Sequence, residues 1–198
     1  MNSPHGIDLK NISRVLREEV PAVCRLVAGA GGRAWLVGGS VRDAILGLPL
    51  RDFDLEVFGL DDAQLRAALE PEFPLDYVGR AYGIYKLKGL PLDVGLPRSE
   101  SKTGQGHKNF AITADPNLPL SVASARRDFT INAIYYDPLK DMIEDPHGGV
   151  PDLAARILRH TSPAFREDPL RVLRGMQFAA RFNLKVAAET TVECRSIG

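Results

Sequence analysis

The spacing of apolar residues along the chain predicts an alternation of helices and short strands. Between Ile7 and Val27 apolar positions recur at helical spacing, and Pro21 is expected to divide this segment into two helices. Further helices are expected from Asp61 to Leu69 and from Phe165 to Phe182. Apolar runs bounded by glycine and proline predict strands at 34–37, 53–58, 75–78, 84–87 and 90–95. This order of elements predicts an α/β (α+β) fold with a small mixed sheet flanked by helices.

A glycine-rich segment precedes the first predicted strand. Gly29 to Ala34 reads GAGGRA and matches the dinucleotide-binding pattern GxGxxA. That pattern belongs after a strand and at the start of a helix, whereas these glycines follow a helix and precede a strand. They are therefore expected to form a turn, and a dehydrogenase-type dinucleotide site is disfavoured.

Two later regions lack the regular spacing. Residues 97–125 are polar, rich in glycine and without periodicity, which predicts a mobile loop. Asp145 to Gly149 reads DPHGG and predicts a turn that closes the first domain. After this turn, Asp152 is expected to be the N-cap of a short helix that continues to Leu158.

The composition is that of an ordinary globular protein. The 198 residues fit one domain, or one domain and part of another, and 44% of them are hydrophobic. The 25 basic and 25 acidic residues cancel, which disfavours a protein that coats nucleic acid with its whole surface. Residues 151–198 carry 8 Lys and Arg against 5 Asp and Glu, so a phosphate-rich partner is expected at this end.

Membrane and secreted classes are also disfavoured. No apolar run approaches the ~20 residues that span a bilayer, and the N-terminal sequence lacks a signal-peptide pattern. Cys24 and Cys194 are too few for a disulfide framework and are expected to be reduced thiols. A cytoplasmic protein with no membrane contact is the resulting prediction, and the oligomeric state is left open.

The stretch from Ala34 to Gly59 carries the first candidate chemistry. Gly38 and Gly39 follow a strand and allow a close approach of the backbone to a bulky group, because glycine has no Cβ. Ser40 is a suitable N-cap for the next helix, whose free N–H groups would attract phosphate. Arg42 would reach the same phosphates with its planar guanidinium. The alternative is an ordinary turn that leads into a helix.

Three aspartates form the second candidate group. Asp52 and Asp54 flank Phe53, so their side chains are expected on the same face of one strand. Two carboxylates this close repel each other, and a divalent cation such as Mg²⁺ removes that cost. Asp93 lies among apolar residues of another predicted strand and would be a third ligand of two metal ions ~3.5–4 Å apart. The alternative for Asp93 is a solvent-facing carboxylate on an edge strand.

The segment ARRDFTINAI carries a third group of polar residues. On a helix Asp128 and Asn132 would share a face, since they are four residues apart. A functional interpretation places Arg127 on a triphosphate and Asp128 near a ribose hydroxyl. The alternative is a capped surface helix with solvated charges.

Asp168 and Arg171 form the last candidate pair, three residues apart in a predicted helix. A carboxylate only accepts hydrogen bonds and a guanidinium only donates them. The pair therefore matches cytosine and adenine, which carry an amino donor beside a ring-nitrogen acceptor, and rejects guanine and uracil. The alternative is an intrahelical ion pair that contributes ~0.3–0.5 kcal/mol.

Four motifs occur in a fixed order between residues 34 and 182. They read GGSVRDAILGLPLRDFD, LDVGLPRSE, RRDFTINAI and REDPLRVLRGMQFAARF. Together they resemble the N-terminal catalytic part of the class II tRNA nucleotidyltransferases, which comprise CCA-adding enzymes, CC- and A-adding enzymes and bacterial poly(A) polymerases. The resemblance implies a polymerase-β-like nucleotidyltransferase head over residues 1–150 and the start of a helical neck over 151–198.

The resemblance also implies roles for individual residues. Asp52 and Asp54 would hold Mg²⁺, and Asp93 would be the third catalytic carboxylate. The nucleotide would be bound by residues of the glycine turn, the RRD segment and the neck, namely Gly38, Gly39, Ser40, Arg42, Arg127, Asp128, Asn132, Asp168, Arg171 and Arg174. Gln177 stands where the family often has another arginine, so that cationic contact is missing here.

The expected activity is template-independent transfer of CMP or AMP from CTP or ATP to the 3′ end of tRNA, with two Mg²⁺ ions. The sequence leaves open CCA, CC-only or A-only addition. Two alternatives are a poly(A) polymerase acting on RNA and a nucleotide-binding head without transfer activity. Family members continue through body and tail domains beyond the neck, whereas this sequence stops at Gly198.

Overall fold

The computed structural model describes residues 14–77, 83–102 and 110–197, with backbone only at 99–102 and 110–112. The described strands are, in chain order, β1 (Arg33–Val37), β2 (Phe53–Phe58), β3 (Leu75–Tyr77), β4 (Ile84–Leu87), β5 (Leu92–Gly95), β6 (Arg98–Lys102), β7 (Phe110–Ala114), β8 (Tyr135–Asp137), β9 (Met142–Glu144), β10 (Ile157–Leu158) and β11 (Lys185–Val186). The described α-helices are α1 (Arg14–Arg17), α2 (Glu19–Gly29), α3 (Gly39–Ile45), α4 (Asp62–Leu69), α5 (Leu120–Ala125), α6 (Gly149–Ala154), α7 (Leu170–Phe182) and α8 (Ala188–Ser196).

Seven of the described strands form one mixed sheet in the order β3-β4-β5-β2-β1-β8-β9. The central pair β2 and β5 is parallel, and the other neighbours in this sheet are antiparallel. Parallel neighbours need a crossover, and α4 with the β3–β4 hairpin provides it between β2 and β5. The expected mixed sheet with flanking helices is confirmed.

The two faces of β2 have different environments. Phe53, Leu55 and Val57 are at most 2% exposed and belong to the main hydrophobic core, where α2 and α4 also pack. Asp54 and Glu56 alternate with these residues and lie on the opposite face, as the two-residue period of a strand requires. A smaller cluster of Trp35, Val37 and Tyr135 lies outside the main core. The sheet therefore keeps one face free for polar side chains around β2.

The C-terminal elements share the main hydrophobic core. Leu153, Leu158, Phe165 and Phe182 belong to the same cluster of buried residues as the helices and strands before them. The parallel pair β10–β11 connects the segment after α6 with the start of α8. The boundary at residue 150 between a head and a neck domain stays a prediction.

Several helix boundaries differ from the expectations. The first helical segment is interrupted at Glu18 and not at Pro21, which lies in the first turn of α2. Pro21 has no N–H to donate to the Arg17 carbonyl, so the helical hydrogen-bond pattern is interrupted between α1 and α2. The helix expected from Phe165 begins only at Leu170, because a short 3₁₀ helix and Pro169 precede it.

The region expected to be a mobile loop contains regular structure. In it β6 pairs antiparallel with β7, and α5 follows from Leu120 to Ala125. The sequence of β6, RSESK, is polar throughout, so no hydrophobic alternation indicated a strand. Residues 103–109 of the expected loop, and positions 7–13 and 78 of other predicted elements, lie outside the described residues.

The expected cap at Asp152 is also wrong. The N-cap of α6 is Gly148, and Asp145 accepts hydrogen bonds from the backbone N–H groups of Gly149 and Val150 at 2.7 and 2.8 Å. Asp152 is buried and accepts a hydrogen bond from the Thr130 hydroxyl at 2.7 Å. No helix in the described part of the chain is long and apolar enough to cross a membrane.

Candidate active site

The three aspartates lie together at the N-terminal ends of β2 and β5. Asp54 and Asp93 are register partners in these parallel neighbours, so their side chains project from the same face of the sheet. Asp52 immediately precedes β2 and lines the same cavity as Asp54. The pairing of two distant segments brings Asp93 next to Asp54. The alternative of a solvent-facing carboxylate on an edge strand is wrong, because β5 lies between β4 and β2.

Charges of both signs surround Asp54, and the pKa of its carboxyl is raised overall. Burial raises the pKa of the Asp54 carboxyl, Arg127 lowers it, and the negative charges of Asp93 and Asp52 raise it again. Lys86 on β4 adds a further positive charge, with Nζ 3.3 Å from Oδ2 of Asp93. Mutual repulsion among carboxylates is therefore present at this site, and cations relieve it.

These carboxylates fit a magnesium ion only in part. Carboxylate oxygens are the ligands that Mg²⁺ prefers, and Mg²⁺ usually takes further ligands from water and substrate phosphates. Among the described residues no group of three or more Asp, Glu, His or Cys side chains is arranged to hold a metal ion alone. The aspartates therefore supply part of a coordination shell that a phosphate-bearing substrate would complete.

The glycine turn after β1 lies directly against this acidic site. Gly38 has φ 74°, and a Cβ atom there would lie 3.1 Å from Nη1 of Arg127 and 3.9 Å from Oδ2 of Asp54. A positive φ is strained for other residues, and a Cβ would also press on the Arg127 guanidinium, so this position favours glycine. Gly38 is also the N-cap of α3, and Ser40, expected to have that role, donates its hydroxyl to the Val37 carbonyl at 3.0 Å. The turn, Arg127 and Asp54 thus form one compact unit.

Arg42 joins the turn to the RRD segment. Its Nη1 donates to Oδ1 of Asn132 at 2.5 Å, and its Nε donates to Oδ1 of Asp43 at 2.8 Å. The guanidinium also stacks over the Phe182 ring, 4.5 Å from the centroid. Arg42 is 5% exposed and lines the larger cavity, and its neighbours fix its orientation.

Asp128 and Asn132 are buried and not on a surface helix as the alternative for this segment required. Only Thr130 to Asn132 is helical, as one 3₁₀ turn. Oδ1 of Asp128 accepts from Asn132 Nδ2 at 2.8 Å, and its Oδ2 accepts from Arg174 Nε on α7 at 2.7 Å. This continuous set of hydrogen bonds links α3, the 3₁₀ turn and α7.

Asp168 and Arg171 do not form the helical ion pair that was the alternative for them. Asp168 lies before α7 and accepts a hydrogen bond from the Leu170 N–H at 3.0 Å. Arg171 is 9% exposed and donates to the backbone carbonyls of Ala164 and Arg126 at 2.7 and 2.8 Å. Two of the five guanidinium N–H groups of Arg171 thus connect α7 to the preceding segments.

Two cavities meet at Asp54. The larger has a volume of about 600 Å³, and its lining includes Gly39, Arg42, Asp52, Asp54 and Arg181. The smaller has a volume of about 220 Å³, and its lining includes Asp54, Glu56, Asp93, Arg126 and Arg127. The Asp54 side chain thus lies between two cavities, and arginine side chains line both of them.

Glu56 and Lys86 also lie at this site, although neither was predicted as a site residue. Glu56 continues the alternation of Asp52 and Asp54 along β2, so the two-residue period places it on the same face. Lys86 faces Asp93 across the β4–β5 pair, which only strand register reveals. The signal for Glu56 was present in the sequence, whereas the one for Lys86 was not.

Comparison with known proteins agrees with this architecture. A CCA-adding enzyme of Bacillus stearothermophilus, solved in complex with CTP, superposes with a TM-score of 0.75 at 29% identity, over 91% of this chain and 43% of that one. A tRNA nucleotidyltransferase solved with a primer tRNA and an incoming ATP analogue gives a TM-score of 0.69 at 29% identity, over 88% and 49% of the two chains.

Sequence relatives indicate the same family. The Multifunctional CCA protein of Xylella fastidiosa is 44% identical over 168 residues, which are 83% of this chain and 39% of the relative. That of Nitrosococcus oceani is 45% identical over 157 residues, 79% of this chain and 37% of the relative. The chain spans about two fifths of the length of these curated relatives. Residues 34–159 match the poly A polymerase head domain, and the chain therefore belongs to this family.

Proposed function

We propose that this chain is the catalytic part of a nucleotidyltransferase that adds CMP or AMP, from CTP or ATP, to the 3′ end of tRNA. One observation carries the proposal: Asp54 and Asp93 are register partners on parallel strands, beside Asp52 and opposite the Gly38 turn. Asp52 and Asp54 line the larger cavity, Asp54 and Asp93 line the smaller one, and arginines line both, an arrangement that suits a metal-bound triphosphate.

The cations of the site have separate tasks in this proposal. Arg127 lies against Gly38 and Asp54 and would bind the phosphates, together with the backbone of Gly39 and Ser40. Arg42 would contribute the edge of its guanidinium from the wall of the larger cavity. Asp128 would accept a hydrogen bond from a ribose hydroxyl, with Asn132 and Arg174 holding its carboxylate in place.

Asp52, Asp54 and Asp93 would hold two magnesium ions. When bound, Mg²⁺ lowers the pKa of the attacking 3′-hydroxyl and neutralises the departing pyrophosphate. Asp93 would accept the proton of that hydroxyl, with the Lys86 ammonium group 3.3 Å from its Oδ2. The two magnesium ions are part of the proposal and are supported by the all-carboxylate donor set.

Base selection would fall to Asp168 and Arg171 at the start of α7. Arg171 has three further N–H groups besides the two bound to backbone carbonyls, so it can still donate to a base. Gln177 is exposed on α7 and carries no charge, so it adds no cationic contact to the nucleotide.

A cytoplasmic location also stays a prediction.

The relatives support the substrate class. Their name, and the CTP, ATP analogue and primer tRNA in the solved structures, indicate CCA addition by those proteins. Because the chain covers only about two fifths of the curated relatives, the extent of the reaction in this chain is a question for experiment.

A terminal-addition assay tests the proposal. The chain is incubated with tRNA lacking its terminal CCA, labelled ATP or CTP and Mg²⁺, with each nucleotide alone and then with both. Asp52→Asn and Asp54→Asn should each reduce incorporation roughly a hundredfold or more, since electrostatic stabilisation in active sites has this magnitude. Glu72→Gln, at an exposed position in the turn after α4, is the matched control and should incorporate like the wild type.

Binding of Mg-ATP is measured in parallel. Transfer that is unaffected by both aspartate variants would contradict the metal-site assignment. Mg²⁺-dependent ATP binding without transfer would instead identify the chain as a nucleotide-binding head.

The family name favours poly(A) polymerase as a second candidate, since the matching head domain occurs in such enzymes. Product length on a denaturing gel separates the two activities. CCA addition stops after the terminal CCA, whereas poly(A) synthesis from ATP alone gives a long ladder.

A further inference from the structure

Glu56 is a fourth carboxylate on the acidic face of β2. It lies two residues after Asp54, is 4% exposed and lines the smaller cavity with Asp54 and Asp93. Its Oε1 accepts from Arg126 Nη2 at 3.0 Å, and its Oε2 accepts from the Tyr135 hydroxyl at 2.8 Å. Both oxygens of a buried carboxylate are thus held by specific donors.

Arg127 lies between this carboxylate and the glycine turn. Its Nη2 is 3.7 Å from Oε2 of Glu56, and its Nη1 lies where a Cβ on Gly38 would nearly touch it. The Arg127 side chain is 17% exposed, and its buried Nε has no hydrogen-bond partner among the described residues. Arg127 is therefore placed by charge and packing, with donor capacity left for a ligand.

Tyr135 fixes the geometry of Glu56. The ring is fully buried and meets Trp35 and Phe58 edge-on, at centroid distances of 6.0 and 6.2 Å. Burial, followed by the charge of Glu56, raises the pKa of the Tyr135 phenol, so the hydroxyl keeps its proton and donates it in the hydrogen bond. Glu56 consequently accepts this hydrogen bond, and its two oxygens face Arg126 and Arg127.

We propose that Glu56, oriented by Tyr135, is a positioning residue that holds the Arg127 guanidinium beside the Gly38 turn for phosphate binding. The inference rests on the proposed nucleotidyltransferase function. A carboxylate that merely stabilised the fold would not need to face a cation at the substrate cavity. Here the cation that Glu56 orients is the one that lies against both Gly38 and Asp54. Supporting groups of this kind determine how precisely a binding side chain is placed.

The test measures binding of Mg-ATP and of magnesium tripolyphosphate, which carries the phosphates without base or ribose. Glu56→Gln keeps the size of the side chain and removes its charge. It should weaken both ligands by the same factor of about ten, the effect of ~1.4 kcal/mol of lost interaction. Tyr135→Phe removes the hydrogen bond to Glu56, together with a longer one of 3.5 Å to the Leu120 carbonyl, and leaves the Glu56 side chain unchanged, so it should weaken binding of both ligands by about threefold.

Asp137→Asn is the matched control. Asp137 is also a buried carboxylate paired with an arginine, since Arg33 Nη2 donates to it at 2.7 Å, but it lies on β8 outside both cavities. This variant should lower the melting temperature and leave both dissociation constants unchanged. In the terminal-addition assay, Glu56→Gln should raise KM for ATP about tenfold, with kcat within about threefold.

Different results overturn different claims. Unchanged tripolyphosphate binding in Glu56→Gln and Tyr135→Phe overturns the positioning role and leaves the proposed function intact. Equal weakening by Asp137→Asn also overturns it, because general destabilisation would then explain the effect. A wild-type chain that binds neither Mg-ATP nor tripolyphosphate overturns both proposals. If Glu56→Gln does not fold, the positioning role is judged by Tyr135→Phe alone: threefold weaker binding of both ligands supports it, and unchanged binding overturns it.

Discussion

Replacement of Arg171 by alanine tests whether this residue connects α7 to the rest of the chain. The guanidinium is 9% exposed and donates to two backbone carbonyls, of Ala164 before the helix and of Arg126 at the end of α5. The substitution removes both bonds and leaves two carbonyl oxygens without this donor. It also leaves a space at the start of α7.

The size of the effect follows from the number and exposure of these bonds. Each hydrogen bond to a charged donor contributes about 1.5–3 kcal/mol. Ala164 and Arg126 are both partly exposed, so water replaces part of the lost interaction. We therefore expect the free energy of unfolding to fall by about 2–4 kcal/mol, below the simple sum. In a protein of this size the melting temperature should drop by roughly 5–15 °C.

Urea and thermal denaturation of Arg171→Ala, Arg171→Lys and Arg181→Ala provide the measurement. Lysine keeps the charge but lacks the planar fork, so its loss should be intermediate. Arg181 is exposed and contacts the Phe182 ring at 4.9 Å, so its removal should cost only about 0.5–1 kcal/mol. If Arg171→Ala melts within about 1 °C of the wild type and loses only its nucleotide preference, the connecting role is wrong and Arg171 acts on the base alone.

Three further predictions concern stability and reactivity. Gly149→Ala should lower the free energy of unfolding by about 3 kcal/mol or more in urea denaturation, because its Cβ would lie 2.2 Å from a backbone carbonyl oxygen. Gly29→Ala, with open space around it, should lower it little, and similar urea midpoints for the two variants would contradict this. Burial lowers the pKa of His160 in the folded protein below the 6.5 of an unfolded chain, so its contribution to stability is complete above pH 6.5 and is lost as the pH falls from 6.5 to the lowered pKa. The stability of His160→Gln should therefore depend less on pH between 7.5 and 5.5, and an unchanged pH profile would oppose the assignment. Burial raises the pKa of Cys24 to about 12. Iodoacetamide at pH 8 should therefore alkylate the partly exposed Cys194 in the native protein, and Cys24 only after unfolding. Mass spectrometry of peptides would show which cysteine is modified.

Local patterns were sufficient for most elements of the sheet. Apolar runs between glycine and proline placed β1, β2, β4 and β5 within a residue or two of their observed bounds. The turn at 29–32 was also predicted correctly, since glycine after a helical pattern is a local signal. Strand β6 was missed because its residues RSESK carry no apolar alternation, and its pairing with β7 depends on a partner elsewhere in the chain.

The residues of the candidate site also fall into those that local sequence placed correctly and those whose environment only the structure revealed. Asp52 and Asp54 could be placed on one face from their spacing alone, and Gly38 from its position after a strand. The burial of Arg42, Asp128 and Arg171 could not be predicted, because each is buried by segments distant in sequence.

The sequence by itself determined the family and most of the elements up to β5, because these follow from motifs and from short-range periodicity. The tertiary structure alone decided that Asp93 faces Asp54, that Lys86 faces Asp93 and that Glu56 and Asp54 flank Arg127. The physical reason is that strand register and buried charge pairing depend on contacts between residues far apart in the chain, whose geometry no local pattern encodes.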